Sequence, residues 1–300
     1  MAMSWAATVR PRVARFRYRF RLRRRAGLLH LTMRGLEHFD PVDAFDFTLL
    51  LPRPGEPGPP DWPLDAVLYQ IFPDRFAEGD PSLRAPDGAW SIEGTPVTRR
   101  PFGARPLPWL AGKNADFYGG DLRGIEARLD HVAGLGATGL YLNPISPALT
   151  NHRYDHHDHG RVDPHLGGDA ALASLSTALH ARDMRLVLDV VLNHTGSAHP
   201  WFNREGLFGD GGAFRDPASP TRRFYVFDEW PAGYRSWLGH THLPRLNLAD
   251  PMLRELLFLD EDAALRRLLR PPFAVDGFRF DAANVIGRDG AEQAHRPLWA

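Results

Sequence analysis

The segment Asp276-Gly277-Phe278-Arg279-Phe280-Asp281 sets an arginine and a carboxylate two positions apart in an otherwise apolar run. Strand side chains alternate faces, so a strand here turns Arg279 and Asp281 to one side and Phe278 and Phe280 to the other. A guanidinium beside a carboxylate favours the ionised acid, and an ionised carboxylate at a strand's end is what a covalent nucleophile requires. The plainer reading is a structural Arg–Asp pair. A second stretch is Asp189-Val190-Val191-Leu192-Asn193-His194. A His at the rim of a parallel strand can donate a hydrogen bond to substrate, while Asn193 could fix a loop or bind a hard cation such as calcium. The third stretch, His152-Arg153-Tyr154-Asp155-His156-His157-Asp158-His159, has the side chains for a zinc or di-metal site. It falls in a loop without recognisable ligand spacing, so no metal is assigned to it.

The elements that must position these residues come from hydrophobic periodicity. Apolar strands are predicted at 66–72, 137–142, 185–192 and 274–280. They alternate with amphipathic helices at 121–132 and 169–180, and with one running from an Asp250 N-cap and Pro251 to about Leu269. Alternation of this kind implies an α/β fold with a parallel sheet under helices, either a (β/α)8 barrel or an open doubly wound sheet. No Gly-x-Gly-x-x-Gly follows the first strand, against a nucleotide-binding open sheet. A long Gly-, Pro- and aromatic-rich connection, about 195–249, belongs on the C-terminal face of a barrel. Only four strand–helix candidates fit before residue 300, so the expectation is the N-terminal half of a TIM barrel over 64–300, in a truncated chain.

Residues 1–51 read as β-rich. Arg15, Arg17, Arg19, Arg21 and Arg23 alternate with Phe16, Tyr18, Phe20 and Leu22, a period of two that predicts one strand with an apolar and an arginine face. A polyanion-binding patch is the sharper reading of the arginines; a solvated sheet face that guards an edge is preferred. Residues 52–63 are a proline-rich linker. The 36 basic and 36 acidic residues cancel, so no global field favours nucleic acid or membrane. Cysteine is absent, which rules out disulfides and thiolate metal sites. No apolar run is long enough for a membrane span, and the N-terminus lacks a signal-peptide pattern. A cytoplasmic enzyme is the expectation.

Taken in order, Asp-x-x-x-Asn-His at 189–194, Leu-Pro-x-Leu-Asn at 243–247 and Gly-x-Arg-x-Asp at 277–281 resemble the α-amylase superfamily, glycoside hydrolase family 13. The stretches 69–76, 117–122, 141–145 and 152–158 are similar to its maltodextrin glucosidase, neopullulanase and cyclomaltodextrinase group. The resemblance implies a retaining α-glucan hydrolase that cleaves α-1,4, and in some members α-1,6, bonds of maltodextrins. Asp281 would be the nucleophile and Arg279 its charge partner. His194 would hydrogen-bond the sugar, Tyr154 would stack on it with Asp155 nearby, and Asp189 would orient Arg279. It implies no cofactor, and residues 1–51 as the remnant of an N-terminal β-sandwich through which the group often forms homodimers. The family's acid and stabilising carboxylate sit on later strands. Asp289 and Glu292 are the only acids after Asp281, in the wrong element to replace them, so the chain alone is expected to be inactive. His159 stands where the group usually has Tyr. Trp201, Phe202, Tyr225, Trp230 and Trp237 could stack on glucose rings or simply pack the insertion.

Overall fold

The computed structural model describes residues 15–39, 46–50, 60–289 and 292–293. The chain divides into two compact units, residues 1–65 and 66–300. The second is built on a four-stranded parallel sheet: β1 (Leu68–Ile71), β2 (Gly139–Leu142), β3 (Arg185–Val190) and β4 (Gly277–Phe280), side by side in chain order. On the outer face Leu140, Leu142, Leu186 and Leu188 are buried against α1 (Leu122–Glu126), α2 (Leu129–Gly134) and α3 (Gly168–His180). The helices contribute Leu122, Ile125, Leu129, Val132, Leu172, Leu175 and Leu179, the apolar positions that the period of 3.6 predicts. The sheet's other face carries the polar residues. Fold class and strand order are thus those expected of half a (β/α)8 barrel, a parallel sheet whose crossovers are helices.

At the foot of the sheet Asp276 joins two elements. Its carboxylate accepts from the Leu186 N–H (2.9 Å), His180 Nε2 (2.8 Å) and Arg185 Nη1 (3.0 Å). Burial alone would raise this acid, but the three donors outweigh it and hold Asp276 below the ordinary aspartate value.

Several predicted elements are shorter or broken. The single helix expected at 121–132 is two, divided at Ala127–Arg128, with Asp121 capping the first through the Gly124 N–H (2.7 Å). The Asp250 cap is formed, its Oδ1 accepting from the Leu253 N–H (3.1 Å). Its helix does not run on to Leu269, however. Pro251–Arg254 passes into a π turn at Glu255–Leu259, and the chain is broken at the acidic Asp260-Glu261-Asp262 before α5 (Ala264–Leu269); Pro251–Arg254 is α4. A further excursion, residues 77–118, was not foreseen. It carries a hairpin, Ser91–Ile92 with Thr95–Pro96, over a small core of Ala85, Val97, Ala115 and Phe117.

In the first unit the arginine segment is two strands. Arg15–Tyr18 pairs with Phe47–Leu50, and Phe20–Arg24 with Gly27–Thr32, which in turn pairs with Gly35–Glu37. The break falls at Arg19, whose Nε lies 2.6 Å from Asp46. Tyr18 stacks on Phe16 and Phe47, and Phe20 meets Tyr18 and Phe47 edge-on. Most of the predicted linker at 52–63 lies outside the described residues, as does the beginning of the predicted β-rich segment.

Candidate active site

All four strands deliver a polar side chain to one end of the sheet. Gln70 on β1 donates to Asn143 Oδ1 (2.9 Å), just past β2, and Asn143 Nδ2 donates to the Tyr154 hydroxyl (3.0 Å). Tyr154 and Tyr141 both donate to Asp189 Oδ2, at 2.8 and 2.5 Å. Asp189 on β3 is in register with Arg279 on β4. Arg279 Nη1 reaches both Asp189 oxygens at 3.2 Å and Asp281 Oδ1 at 2.6 Å. The result is a hydrogen-bonded chain, Gln70–Asn143–Tyr154–Asp189–Arg279–Asp281, across the whole sheet. The period-two argument explains its last link: Arg279 and Asp281 share a face, while Phe278 and Phe280 pack into the apolar clusters on the other side.

Charge in the chain is unevenly distributed. Burial raises Asp189 above the ordinary aspartate value, although Tyr141, Tyr154 and Arg279 all pull the other way. Both tyrosine hydroxyls are pushed far up, first by burial and then by the Asp189 carboxylate. Partial burial lowers Arg279, but its bonds to Asp281 and Asp189 outweigh that and raise it. The guanidinium therefore stays charged at any working pH.

Asp281 lies at the edge of a cavity of about 480 Å³, with Tyr154 and His194 in its wall. Trp109 and Trp237 also line it, together with His152, His240 and His242. Burial draws His194 down to about 4, against the opposing charge of Asp281, so its imidazole is neutral at pH 7. Asn193 Nδ2 donates to its Nδ1 (3.2 Å), which puts the ring proton on Nε2. That Nε2 is buried and meets no partner at hydrogen-bond geometry, while other atoms of the residue line the cavity. The Leu-Pro-x-Leu-Asn motif holds this rim in place through its backbone: the Leu246 N–H donates to the Asn193 carbonyl (2.9 Å), and the Thr195 N–H to that of Pro244 (3.1 Å).

Asp155 is placed differently. It is buried, accepts from the Thr150 N–H (3.2 Å) and the Thr150 hydroxyl, and lines a neighbouring cavity rather than the one beside Asp281. Of the five insertion aromatics only Trp237 lines the cleft. Phe202 and Tyr225 are core residues, and Trp201 packs against His159, His199 and Phe224. Trp230 donates to the Ala213 carbonyl. Gln70, Tyr141, Asn143 and Trp109 were given no role from sequence. The signal for Gln70 and Asn143 was a polar side chain at the end of an apolar strand; nothing marked Trp109.

The calcium reading at Asn193 finds no cluster of carboxylates beside it among the described residues. Its Oδ1 is buried without a partner, but a calcium ion takes six to eight oxygens. Among the described residues no three His, Asp or Glu side chains come together as metal ligands, near Asn193 or in the His152–His159 run. Three histidines do meet below that run. His156 and His199 are buried and His159 is half-buried, with ring centroids 4.1 to 6.2 Å apart; both ring nitrogens of His156 and His159 and Nε2 of His199 are out of solvent. Burial holds all three well below the ordinary histidine value, and each other's charge adds to this.

A parallel half-barrel with a carboxylate–arginine pair at its C-terminal rim is the class of structure that fold and site define, and comparison with known proteins places it in a family. Residues 70–296 match the alpha amylase catalytic domain, and the chain belongs to that family. It is 36% identical over 286 residues to the cyclomaltodextrinase of Geobacillus thermopakistaniensis (strain MAS1), covering 94% of this chain and 45% of the relative. It is 37% identical over 227 residues to the intracellular maltogenic amylase of Bacillus subtilis, covering 76% of this chain and 34% of the relative. Among solved structures, the cyclic alpha-maltosyl-(1→6)-maltose hydrolase of Arthrobacter globiformis superposes with a TM-score of 0.62 at 35% identity, over 76% of this chain and 46% of that one. The chain thus spans less than half the length of these relatives.

Proposed function

We propose that this chain is the substrate-binding and nucleophile-bearing part of a retaining hydrolase of α-1,4-linked maltodextrins; likeness to a hydrolase of cyclic alpha-maltosyl-(1→6)-maltose supports α-1,6 bonds as a further substrate. The observation that carries this reading is the Asp281 carboxylate, bonded to Arg279 at 2.6 Å beside a 480 Å³ cleft. In the proposed reaction Asp281 attacks the anomeric carbon and the bond to the leaving oxygen breaks, giving a glycosyl ester that water later hydrolyses. Arg279 holds the nucleophile's carboxylate in place through its 2.6 Å bond, and the rings of His194, Tyr154 and Trp237 line the sugar's cleft. Asp155 supports the Tyr154 loop through Thr150. Retention also needs a second carboxyl about 5–5.5 Å from the first as acid and then base. Among the described residues Asp281 is the one carboxylate lining the cleft, so hydrolysis awaits an acid from elsewhere in the enzyme.

That single carboxylate also favours a second reading, a glucan-binding half-barrel without hydrolysis. A 5-fluoro-α-glucosyl fluoride separates the two, because fluoride departs without a proton. Mass spectrometry should find one glycosyl adduct on the Asp281 peptide, absent in Asp281→Asn. Binding of maltotetraose with no adduct in either protein would leave the binding reading alone. The similarity to an enzyme named intracellular supports a cytoplasmic setting; no helix among the described residues is long and apolar enough to cross a membrane. A homodimer through the first unit, read as a sandwich remnant, is part of the same proposal.

A further inference from the structure

Between the excursion at 77–118 and the loop after β2 lies a small cavity of about 10 Å³, room for one water-sized particle. It shares no lining residue with the cleft. Four arginines line it: Arg84, Arg99 and Arg100 from the excursion, and Arg153 from the loop. Asp74 is the one carboxylate in its wall among the described residues.

The acids nearby already have arginine partners. Glu78 pairs with Arg84, Asp163 with Arg153 (2.8 Å) and Asp74 with Arg75 (2.9 Å). Asp74 also accepts from the N–H groups of Tyr118 (3.1 Å) and Gly119 (3.0 Å), so its oxygens are fully engaged. Asp87 accepts from the backbone N–H of Arg99 (2.5 Å) and not from its guanidinium. Arg99 and Arg100 are thus left without a counter-ion among the described residues. Backbone carbonyls hold them instead, Ala85 (2.8 Å) and Arg84 (3.4 Å) for Arg99 and Arg105 (3.2 Å) for Arg100. Donors remain unused. Arg100 Nε is buried and meets no partner at hydrogen-bond geometry. Nη1 of Arg84, Arg99 and Arg100, and Nη2 of Arg153, donate to no atom of the described residues.

Adjacent guanidiniums beside one cavity repel each other, and a buried N–H without a partner is costly. A water molecule in the cavity would take the N–H and leave the charge uncompensated. Phosphate and sulfate, with four oxygens each, exceed the space. We propose that the cavity binds one monatomic anion, a halide such as chloride, through the N–H groups of Arg99, Arg100 and Arg153. Arg99 ends a strand that pairs with Asp116–Phe117, while Arg153 precedes Tyr154 in the loop after β2. The ion therefore ties the excursion to the barrel.

The test is the chlorine-35 NMR line width of sodium chloride solutions containing the full chain, because bound chloride relaxes far faster than free chloride. The chain should broaden the line, and the excess should saturate as chloride is added. Bromide should displace it; methanesulfonate, too large for the cavity, should not. Arg99→Gln, at an exposed position, and Arg100→Gln should each weaken chloride binding about tenfold, the loss of one hydrogen bond to a charged partner. At constant ionic strength the melting temperature should rise by about 3 °C when methanesulfonate is replaced by chloride at ten times its dissociation constant. Neither variant should show that rise at the same chloride concentration, while both keep a cooperative melting transition that shows them folded. A line no broader than that of buffer, broadening unchanged in both variants, or melting that follows ionic strength alone would overturn the halide site.

Discussion

Acid should unfold this protein earlier than its carboxylates alone would dictate, and the cause is the buried cluster of His156, His159 and His199. Neither ring nitrogen of His156 or His159 meets a partner at hydrogen-bond geometry, nor does Nε2 of His199. All three are held neutral by burial. A histidine whose folded value is depressed binds its proton in the unfolded chain first, so stability falls as pH drops below the unfolded value of about 6.5. The loss continues down to the folded value. Between pH 6.5 and 5.5 each such group removes about 1 kcal/mol, and three remove about 3 kcal/mol, a large share of a typical domain stability of about 5–15 kcal/mol. The assay is urea unfolding at pH 7.5, 6.5 and 5.5, for the unaltered chain and for His159→Phe. Phenylalanine keeps the stack on Trp201, which lies 5.4 Å away and 25° from parallel, and strands no hydrogen bond. The variant should therefore match the parent at pH 7.5 to within about 1 kcal/mol and lose about 1 kcal/mol less on going to pH 5.5. A parent stability that is flat from pH 7.5 to 5.5, or a variant with an unchanged acid slope, would refute the reasoning.

Other substitutions probe the framework. Asp189→Asn keeps the shape but turns an amide N–H toward donors; it should cost about 1–3 kcal/mol in urea unfolding and weaken maltotetraose binding by freeing Arg279 and Tyr154. Gly196→Ala would drive a Cβ into the Asp155 carbonyl, so a loss of about 2 kcal/mol or more is expected, read as a lowered melting temperature. Asp276→Asn should cost about 1 kcal/mol at pH 7. Because the folded value of Asp276 is depressed, its contribution is full above the unfolded aspartate value of about 3.9 and is lost as pH falls through the folded value. The gap between parent and variant should therefore close in acid.

Much of the sheet was legible because its strands are short apolar runs bounded by polar ends, and Arg279 and Asp281 share a face by alternation alone. What periodicity could not show was where helices break. The apolar stripe continues from Leu122 to Val132, and only the local backbone at Ala127–Arg128 interrupts it. After Asp250 the interruption is a run of three acids that leave the helix register. The misplacement of Asp155 has the same origin. In a loop, neighbours in sequence need not share a cavity, and the two hydrogen bonds to Thr150 turn Asp155 away from the one that Tyr154 lines. His159 was noticed as an unusual residue for its place. Only the packing shows that it joins two other histidines, one of them forty residues on, at His199.

Four strands suffice to build the nucleophile's surroundings because the hydrogen-bonded chain crosses them in order, one polar residue per strand end. Each link fixes the next: Gln70 sets the amide orientation of Asn143, and Asn143 leaves the Tyr154 hydroxyl free to donate to Asp189. Asp189, tied by two phenols, can hold the guanidinium in one place. Arg279 Nη1 is shared between the two carboxylates, and its shorter bond goes to Asp281, at 2.6 Å against 3.2 Å. The arrangement concentrates positive charge on Asp281, the one carboxylate among the described residues that lines the cleft. A consequence follows for Gln70, which touches neither cleft nor nucleophile. Gln70→Leu should leave Asn143 free to rotate, loosen Tyr154 and weaken maltotetraose binding. Gln70→Glu, which keeps the side-chain shape but cannot donate to Asn143 Oδ1 when ionised, should do the same. If both variants bind as the parent does, the chain is a set of independent contacts and not a relay of orientation.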